Sequence, residues 1–146
     1  MATLNQQIQR AKNLSPRKIE DALFTFLKSI SEELADRNVN RIYNFGEDVF
    51  GSVIGIYSHG TEAISKGRKK AGDRFDLKDT GEFLEKLYAK VEGGVVSFGT
   101  SDSKKDDVFE NLLSRDIFGL NDEDLQKVIQ EDIKPFFISY FKENLA

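Results

Sequence analysis

The sequence predicts a single α+β domain, in which a small antiparallel β-sheet packs with a long N-terminal helix and a kinked C-terminal helix. Apolar residues recur at spacings of three and four after Ser15-Pro16 and again after Asn121, which is typical of amphipathic helices. Between these segments, two β-prone runs flank Gly93-Gly94, which indicates a β-hairpin. The length of 146 residues suits one domain.

The first helix is expected over residues 16–44. Ser15 can cap its free backbone N–H groups, and Pro16 suits the first helical position, where no N–H is needed. The polar interval 36–38 is the place where we expect a bend. Residues 1–15 are polar and glutamine-rich, so we expect a flexible or partner-ordered arm there, which leaves residues 16–146 as the domain.

Loops are expected between this helix and the hairpin. Gly46 ends the helix, and the glycine-rich stretch that follows implies unusual backbone angles, with Ile54, Ile56 and Tyr57 as a short extended piece. Residues 58–78 show no clear periodicity, and such long loops are usually functional or disordered until bound.

The rest of the chain gives clearer signals. Phe83, Leu87, Ala89 and Val91 are expected in the first strand of the hairpin, and residues 95–100 form the second. A polar loop follows over 101–107, and the apolar residues Val108, Leu112 and Leu113 suggest a short helix. Asn121 caps the last helix, and Pro135 is expected to kink it.

Composition excludes several classes of function. The chain has no Cys, so it has no disulfide, thiolate nucleophile or cysteine zinc site, and one His cannot build a histidine cage. A net charge of -4 argues against nonspecific coating of nucleic acid by the whole surface. No stretch is long and apolar enough to span a membrane, and the N-terminus does not resemble a signal peptide.

Catalytic, metal and cofactor sites are not expected. His59, Asp48 and Asp79 are the only plausible polar cluster for an enzyme, and no oxyanion-hole, metal or cofactor motif accompanies them. The glycine pairs match neither a phosphate-binding loop nor a dinucleotide fingerprint. Asp48 lacks the ligand pattern of a calcium loop, and its carboxylate is expected to accept backbone N–H groups in a tight turn.

A basic loop over residues 66–74 is the most informative charge feature. It is either a solvated loop or a contact with something anionic, namely an acidic neighbouring subunit or the phosphates of DNA. Its five cations lie within nine residues and are Lys66, Arg68, Lys69, Lys70 and Arg74.

The C-terminal half carries the opposite charge and a surplus of aromatic residues. Opposite charges at two places on one chain suit head-to-tail contacts between subunits, which close into rings. Aromatic residues beyond the needs of one helix stripe are enriched at interfaces. The residues we expect at a subunit interface are Asp102, Asp106, Asp107, Glu110, Phe137 and Phe141.

Several short motifs occur in a characteristic order. They are Gly46-x-Asp48-x-x-Gly51, Ser58-x-x-Thr61, the basic loop, Asp79-Thr80-Gly81-Glu82-Phe83 at the start of a strand, Phe98-Gly99-Thr100 at the end of its partner, and Arg115 to Leu125 before the last helix. This order, over roughly residues 16–145, resembles the phage virion-morphogenesis (tail-completion) proteins and related head–tail connector proteins of tailed bacteriophages.

The resemblance implies a structural virion protein with no turnover. Members of that family form a ring at the portal–tail junction, so the expected partners are further copies of this chain, the portal and other neck or tail proteins. The expected location is the virion neck or tail, after synthesis in the host cytoplasm, with no membrane and no cofactor. The basic loop is expected to face a neighbour or DNA in the channel. The alternative is a nucleic-acid-associated binding module that uses the same loop.

Overall fold

The computed structural model describes residues 2–56, 59–74, 82–101 and 115–146. It confirms the predicted α+β class, with helices around one two-stranded antiparallel sheet. A 3-10 turn covers Arg115–Ile117, and a π-helical segment covers Ile129–Ile133. The remaining elements are α1 Leu4–Asn13, α2 Pro16–Ser29, α3 Ser31–Phe45, α4 His59–Ile64, α5 Glu82–Glu85, β1 Leu87–Glu92, β2 Val95–Thr100, α6 Asp122–Val128 and α7 Lys134–Leu145.

The stretch expected to be one long helix is two helices that meet at Ile30. Its backbone angles, φ −106° and ψ 17°, lie outside the helical range, and Ser29 bonds back to a carbonyl of its own helix. The prediction of a bend at residues 36–38 is therefore wrong, because these residues lie inside α3 and the interruption is at Ile30. The two helices have different partners, since α3 packs chiefly on β1 whereas α2 contacts β1, α3 and α7. The predicted start is confirmed, because Ser15 accepts the backbone N–H of Lys18.

Helix α1 lies within the expected N-terminal arm, and a flexible or partner-ordered role for residues 1–15 stays a prediction. Thr3 and Gln6 form a capping box: Gln6 N donates to Thr3 Oγ1 at 3.2 Å, and Thr3 N donates to Gln6 Oε1 at 2.9 Å. The helix ends at Asn13, and Leu14 and Ser15 are extended before α2 begins. In the described chain α1 contacts α7, yet none of its own residues is buried.

The predicted hairpin is confirmed, but its first strand begins at Leu87, and Phe83, which was expected in that strand, lies in α5. Leu87 pairs with Thr100, and Glu92 pairs with Val95 beside the turn. Gly93 and Gly94 have φ of 57° and 77°, which suits the tight turns that join twisted strands. Leu87 and Val91 are buried on one face of β1, and this face lies against α3.

A small apolar core joins the helices to the hairpin. Ile42 on α3 is fully buried and packs with Leu84 and Leu87. Ile54 and Phe118, from two separate loops, pack against the same cluster. The core therefore fixes both loops relative to α3, which is the helix that positions the candidate surface described below.

The C-terminal helix is irregular just before the position that was expected to kink. The π-helical segment ends at Ile133, and Pro135 lies in the first turn of α7. Phe136 stacks on Phe26 of α2 at 4.7 Å between ring centres, which attaches the terminal helix to the N-terminal half. The Asn121 cap is confirmed, because its Oδ1 accepts the N–H of Asp124 at 2.7 Å.

Candidate interaction surface

The basic loop has a defined backbone conformation. Ser65 is buried at its centre, where its Oγ donates to Glu62 O and accepts the N–H of Lys69 at 3.0 Å. The Glu62 carboxylate accepts the N–H of Ala71 at 2.9 Å. Lys66 has a φ of 54°, a conformation that non-glycine residues rarely adopt. The Ser65 hydroxyl and the Glu62 carboxylate thus hold the turn together from inside.

The five cations of this loop do not have the same environment. Arg74 donates to Phe45 O and to Glu47 Oε1, both at 3.1 Å, so its charge is already paired within the chain. Lys69 is half-buried. Lys66, Arg68 and Lys70 are exposed and form no ion pair with the residues that the structure describes. These three cations are therefore available to an external anion.

The loop at residues 46–56 is ordered by Asp48, as the sequence predicted. Its Oδ1 accepts the N–H groups of Phe50 and Ser52, both at 2.9 Å. Gly46 ends α3 in the left-handed conformation, with φ 61°. No group of three or more metal-ligating side chains occurs among the described residues. The Asp48 carboxylate thus has a local structural role.

Arg41 is the main anchor of this region, and the sequence reasoning missed it. It is 3% exposed and donates four hydrogen bonds. Its acceptors are Glu47 O at 3.0 Å, Asn38 Oδ1 at 2.6 Å, Gly119 O at 2.6 Å, and Ile117 O. One guanidinium therefore ties α3 to the 46–56 loop and to the segment before α6.

Desolvation dominates the electrostatics of Arg41. Burial lowers its pKa, while the charges of Asp124, Asp48 and Glu47 act in the opposite direction. No carboxylate bonds the guanidinium directly in the described chain, so backbone carbonyls and one amide solvate it. Arginine retains its proton in such sites. Arg41 lies on the apolar side of α3, where a charged residue is unexpected, and this position is the signal that could have identified it.

These anchored loops expose large apolar side chains. Ile64 at the end of α4 is 87% exposed, and Phe50 at the turn of the 46–56 loop is 77% exposed. Phe45 and Ile56 are each 60% exposed. An isolated bridge pairs Ile56 with Arg74, so the 46–56 loop meets the end of the basic loop. We call these four apolar residues, together with Lys66, Arg68 and Lys70, the loop surface.

The structure describes only two of the six residues that were expected at a subunit interface. Phe137 and Phe141 lie one turn apart on α7, half-buried and stacked at 6.0 Å between ring centres. The acidic residues Asp102, Asp106, Asp107 and Glu110 lie outside the described residues, as does the short helix expected around 108–113. The acidic turn that the structure does describe is at the start of α6, with Asp122, Glu123 and Asp124.

The polar cluster considered for catalysis is not assembled by the described residues. His59 is exposed at the start of α4 and forms no hydrogen bond within that part of the chain. Asp48 is committed to its own turn. Asp79 lies outside the described residues, as does Tyr57 of the expected extended piece.

Comparisons with known proteins assign neither a family nor a function to this chain. No helix among the described residues has both the length and the apolar character needed to cross a bilayer. No protein-family model, curated protein or solved structure matches the chain.

Proposed function

We propose that this chain is a structural virion protein, one subunit of a ring at the phage portal–tail junction, and that it acts without catalytic turnover. The order of the short motifs supports the proposal. Two of those motifs are neighbours in space, since Arg41 bonds both Glu47 of the first loop and Gly119 of the last motif. A pair of motifs that forms one unit is consistent with a common structural role.

The loop surface is the observation that carries this proposal. Exposed aromatic and aliphatic residues are common on proteins, but they usually lie singly. Here several occur on the 46–56 loop and at the helix ends beside it and beside the basic loop, and both loops are held by buried or bonded polar groups, Arg41, Asp48 and Ser65. Rigid presentation of apolar residues lowers the entropy lost on association. That is a property of a surface for contact with another protein.

The composition of particles tests this function. We expect the chain to be present in virions purified from the phage that encodes it, in several copies per particle, as measured by quantitative mass spectrometry. Phe50→Ser combined with Ile64→Ser should reduce its incorporation without unfolding it, because both side chains are exposed. Val95→Ser is the control for loss of an exposed apolar side chain, since Val95 is 60% exposed on the hairpin and does not belong to the loop surface. A chain absent from particles would refute the proposal.

The second candidate function is binding of nucleic acid through the basic loop. Exposed Lys66, Arg68 and Lys70 support it, because phosphate contacts need cations that are not already paired. This candidate predicts an affinity for duplex DNA that falls steeply with salt and is lost in Lys66→Glu/Lys70→Glu. Lys86→Glu/Lys90→Glu makes the same charge change at exposed positions, one just before β1 and one within it, and is the control. DNA affinity unchanged by the loop variant would refute this candidate.

A further inference from the structure

Strand β2 forms an edge of the sheet, with no further strand beside it in the described chain. The helices pack mainly on β1, and we call the face of the sheet that they cover the inner face. Leu87 and Val91 on the inner face of β1 are buried, whereas Val96 and Phe98 on the same face of β2 are half-buried. The packing of the helices therefore covers β1 more completely than β2.

The hydrogen-bond pattern shows which backbone groups of β2 face the edge. Ser101 N donates to Lys86 O at 3.0 Å, so these two residues form a hydrogen-bonded pair of the antiparallel ladder. Such pairs alternate along the strands, so Ser97 bonds to β1, whereas the N–H and C=O groups of Val96 and Phe98 point away from it. These outward groups form no hydrogen bond with the described residues.

Strand β2 also lacks the features with which proteins usually protect an edge. Its sequence, Val95 to Thr100, contains no charged residue and no Pro, and its pairing with β1 has no bulge. Strand β1, by comparison, carries Lys90 and Glu92. A neutral edge rich in β-branched and aromatic residues pairs readily with another extended segment. The edge of β2 is thus suited to the addition of a strand.

The order of residues along β2 favours an identical strand as the added one. When two copies of β2 run antiparallel with Ser97 opposite Ser97, Val96 of each copy lies opposite Phe98 of the other. These pairs join the outward N–H and C=O groups of both copies, and each places an aromatic residue beside a β-branched one, which is a favourable cross-strand pair. No like charges meet across the contact, because β2 is neutral.

We propose that β2 pairs with β2 of a second copy around a two-fold axis at Ser97, which creates one four-stranded antiparallel sheet. The β1 strands of the two copies are about 14 Å apart in such a sheet. Neighbouring helices need only about 8–10 Å between their axes, so α3 can stay on β1 in each copy. The contact joins identical surfaces and closes on itself, so it yields a dimer and is independent of the proposed ring.

Charged residues on the two-fold axis test this contact in solution. Ser97 is exposed, so substitutions there do not disturb the core. Ser97→Lys and Ser97→Glu should each weaken dimerisation of the full chain about tenfold, measured by sedimentation velocity across concentration, because like charges then face each other. An equimolar mixture of the two variants should restore dimers, since opposite charges meet in the mixed pair.

Gln9 provides the matched control for these variants. Gln9→Lys and Gln9→Glu add the same charges at an exposed position of α1 and should leave dimerisation unchanged. Equal weakening by the Gln9 variants, or a mixture of the Ser97 variants that fails to restore dimers, would overturn the proposal.

Disulfide trapping tests the register, because the natural chain contains no Cys. In the proposed sheet the two Ser97 residues form a non-hydrogen-bonded pair with Cα atoms about 4.5 Å apart, which a disulfide can span. The two Val95 residues are offset by about 13 Å along the strands. Ser97→Cys should therefore form a disulfide dimer about tenfold faster than Val95→Cys under the same mild oxidation. Equal rates would overturn the proposed pairing.

Hydrogen exchange gives a readout on the wild-type chain. The amides of Val96 and Phe98 should exchange more slowly as protein concentration rises, because they gain acceptors only in the dimer. The amide of Ser97 bonds to β1 in monomer and dimer alike, so its exchange should respond much less. A chain that stays monomeric at the highest attainable concentration, with no added protection at Val96 and Phe98, would overturn the self-pairing.

Discussion

Removal of the Arg41 guanidinium should destabilise the protein more than removal of any other single charge in the described chain. Arg41→Met keeps much of the side-chain volume but leaves four acceptors without their donor. Two of these bonds, to Asn38 and Ile117, are buried, and the other two are partly buried. Water cannot freely replace the lost donor at the two buried acceptors.

The expected loss can be worked out from those contacts. Each buried acceptor left without a partner costs about 1–3 kcal/mol, so the two buried acceptors cost about 4 kcal/mol together. Met removes the cost of burying a charge and adds apolar contacts. These two gains offset part of the lost stability. We therefore expect a net loss of about 3 kcal/mol, which for a domain of this size lowers Tm by about 10 °C. Chemical denaturation followed by circular dichroism measures the free energy of unfolding directly.

Arg37→Met is the matched control for this experiment. Arg37 lies one turn before Arg41 on α3, and its partners are the carboxylates of Asp124 and Glu131 at 3.6 Å and 3.4 Å. Those pairs are partly exposed, so their loss should cost about 0.5 kcal/mol. The reasoning is refuted if the two variants unfold at the same denaturant concentration. Arg41→Lys should fall between them, because an ammonium cannot reach four separate acceptors.

Two further changes test the local bonds around the same region. Asp48→Ala should cost about 1 kcal/mol and speed hydrogen exchange at the amides of Phe50 and Ser52, which lose their acceptor; Asp48→Asn, which keeps one acceptor oxygen, should behave more like the wild type. Asn121→Ala should cost about 1 kcal/mol in thermal unfolding because it frees the N–H of Asp124; a loss of equal size in Asn121→Asp would contradict the capping role.

The features predicted correctly from the sequence are those whose cause is local. The Gly93-Gly94 turn needs positive φ at two successive positions, and glycine supplies it. The cap at Asn121 needs only an acceptor three residues before a free N–H. The turn at Asp48 follows the same rule. In each case the cause lies within a few residues, so the order of residues along the chain is sufficient evidence.

Two local signals were available but were outweighed by composition and periodicity. Thr3 and Gln6 have the spacing of a capping box, yet the polar, glutamine-rich composition of the N-terminus suggested an arm. Glu32 and Glu33 favour a helix start at Ser31, but the apolar stripe continues through Ile30 and concealed the break. A stripe repeats every turn whether or not the helix is continuous, so periodicity is insensitive to a one-residue interruption.

Taken alone, the sequence determined the class of fold, the hairpin, the caps and the separation of basic from acidic segments, because these depend on neighbours along the chain. Only the tertiary structure decided which loops are anchored by long-range hydrogen bonds and which apolar residues stay uncovered. Arg41 reaches carbonyls up to 78 residues away, and the exposure of Leu4 depends on what α7 fails to cover. Burial and long-range hydrogen bonding are properties of packed surfaces, and packing brings together residues that the chain keeps apart.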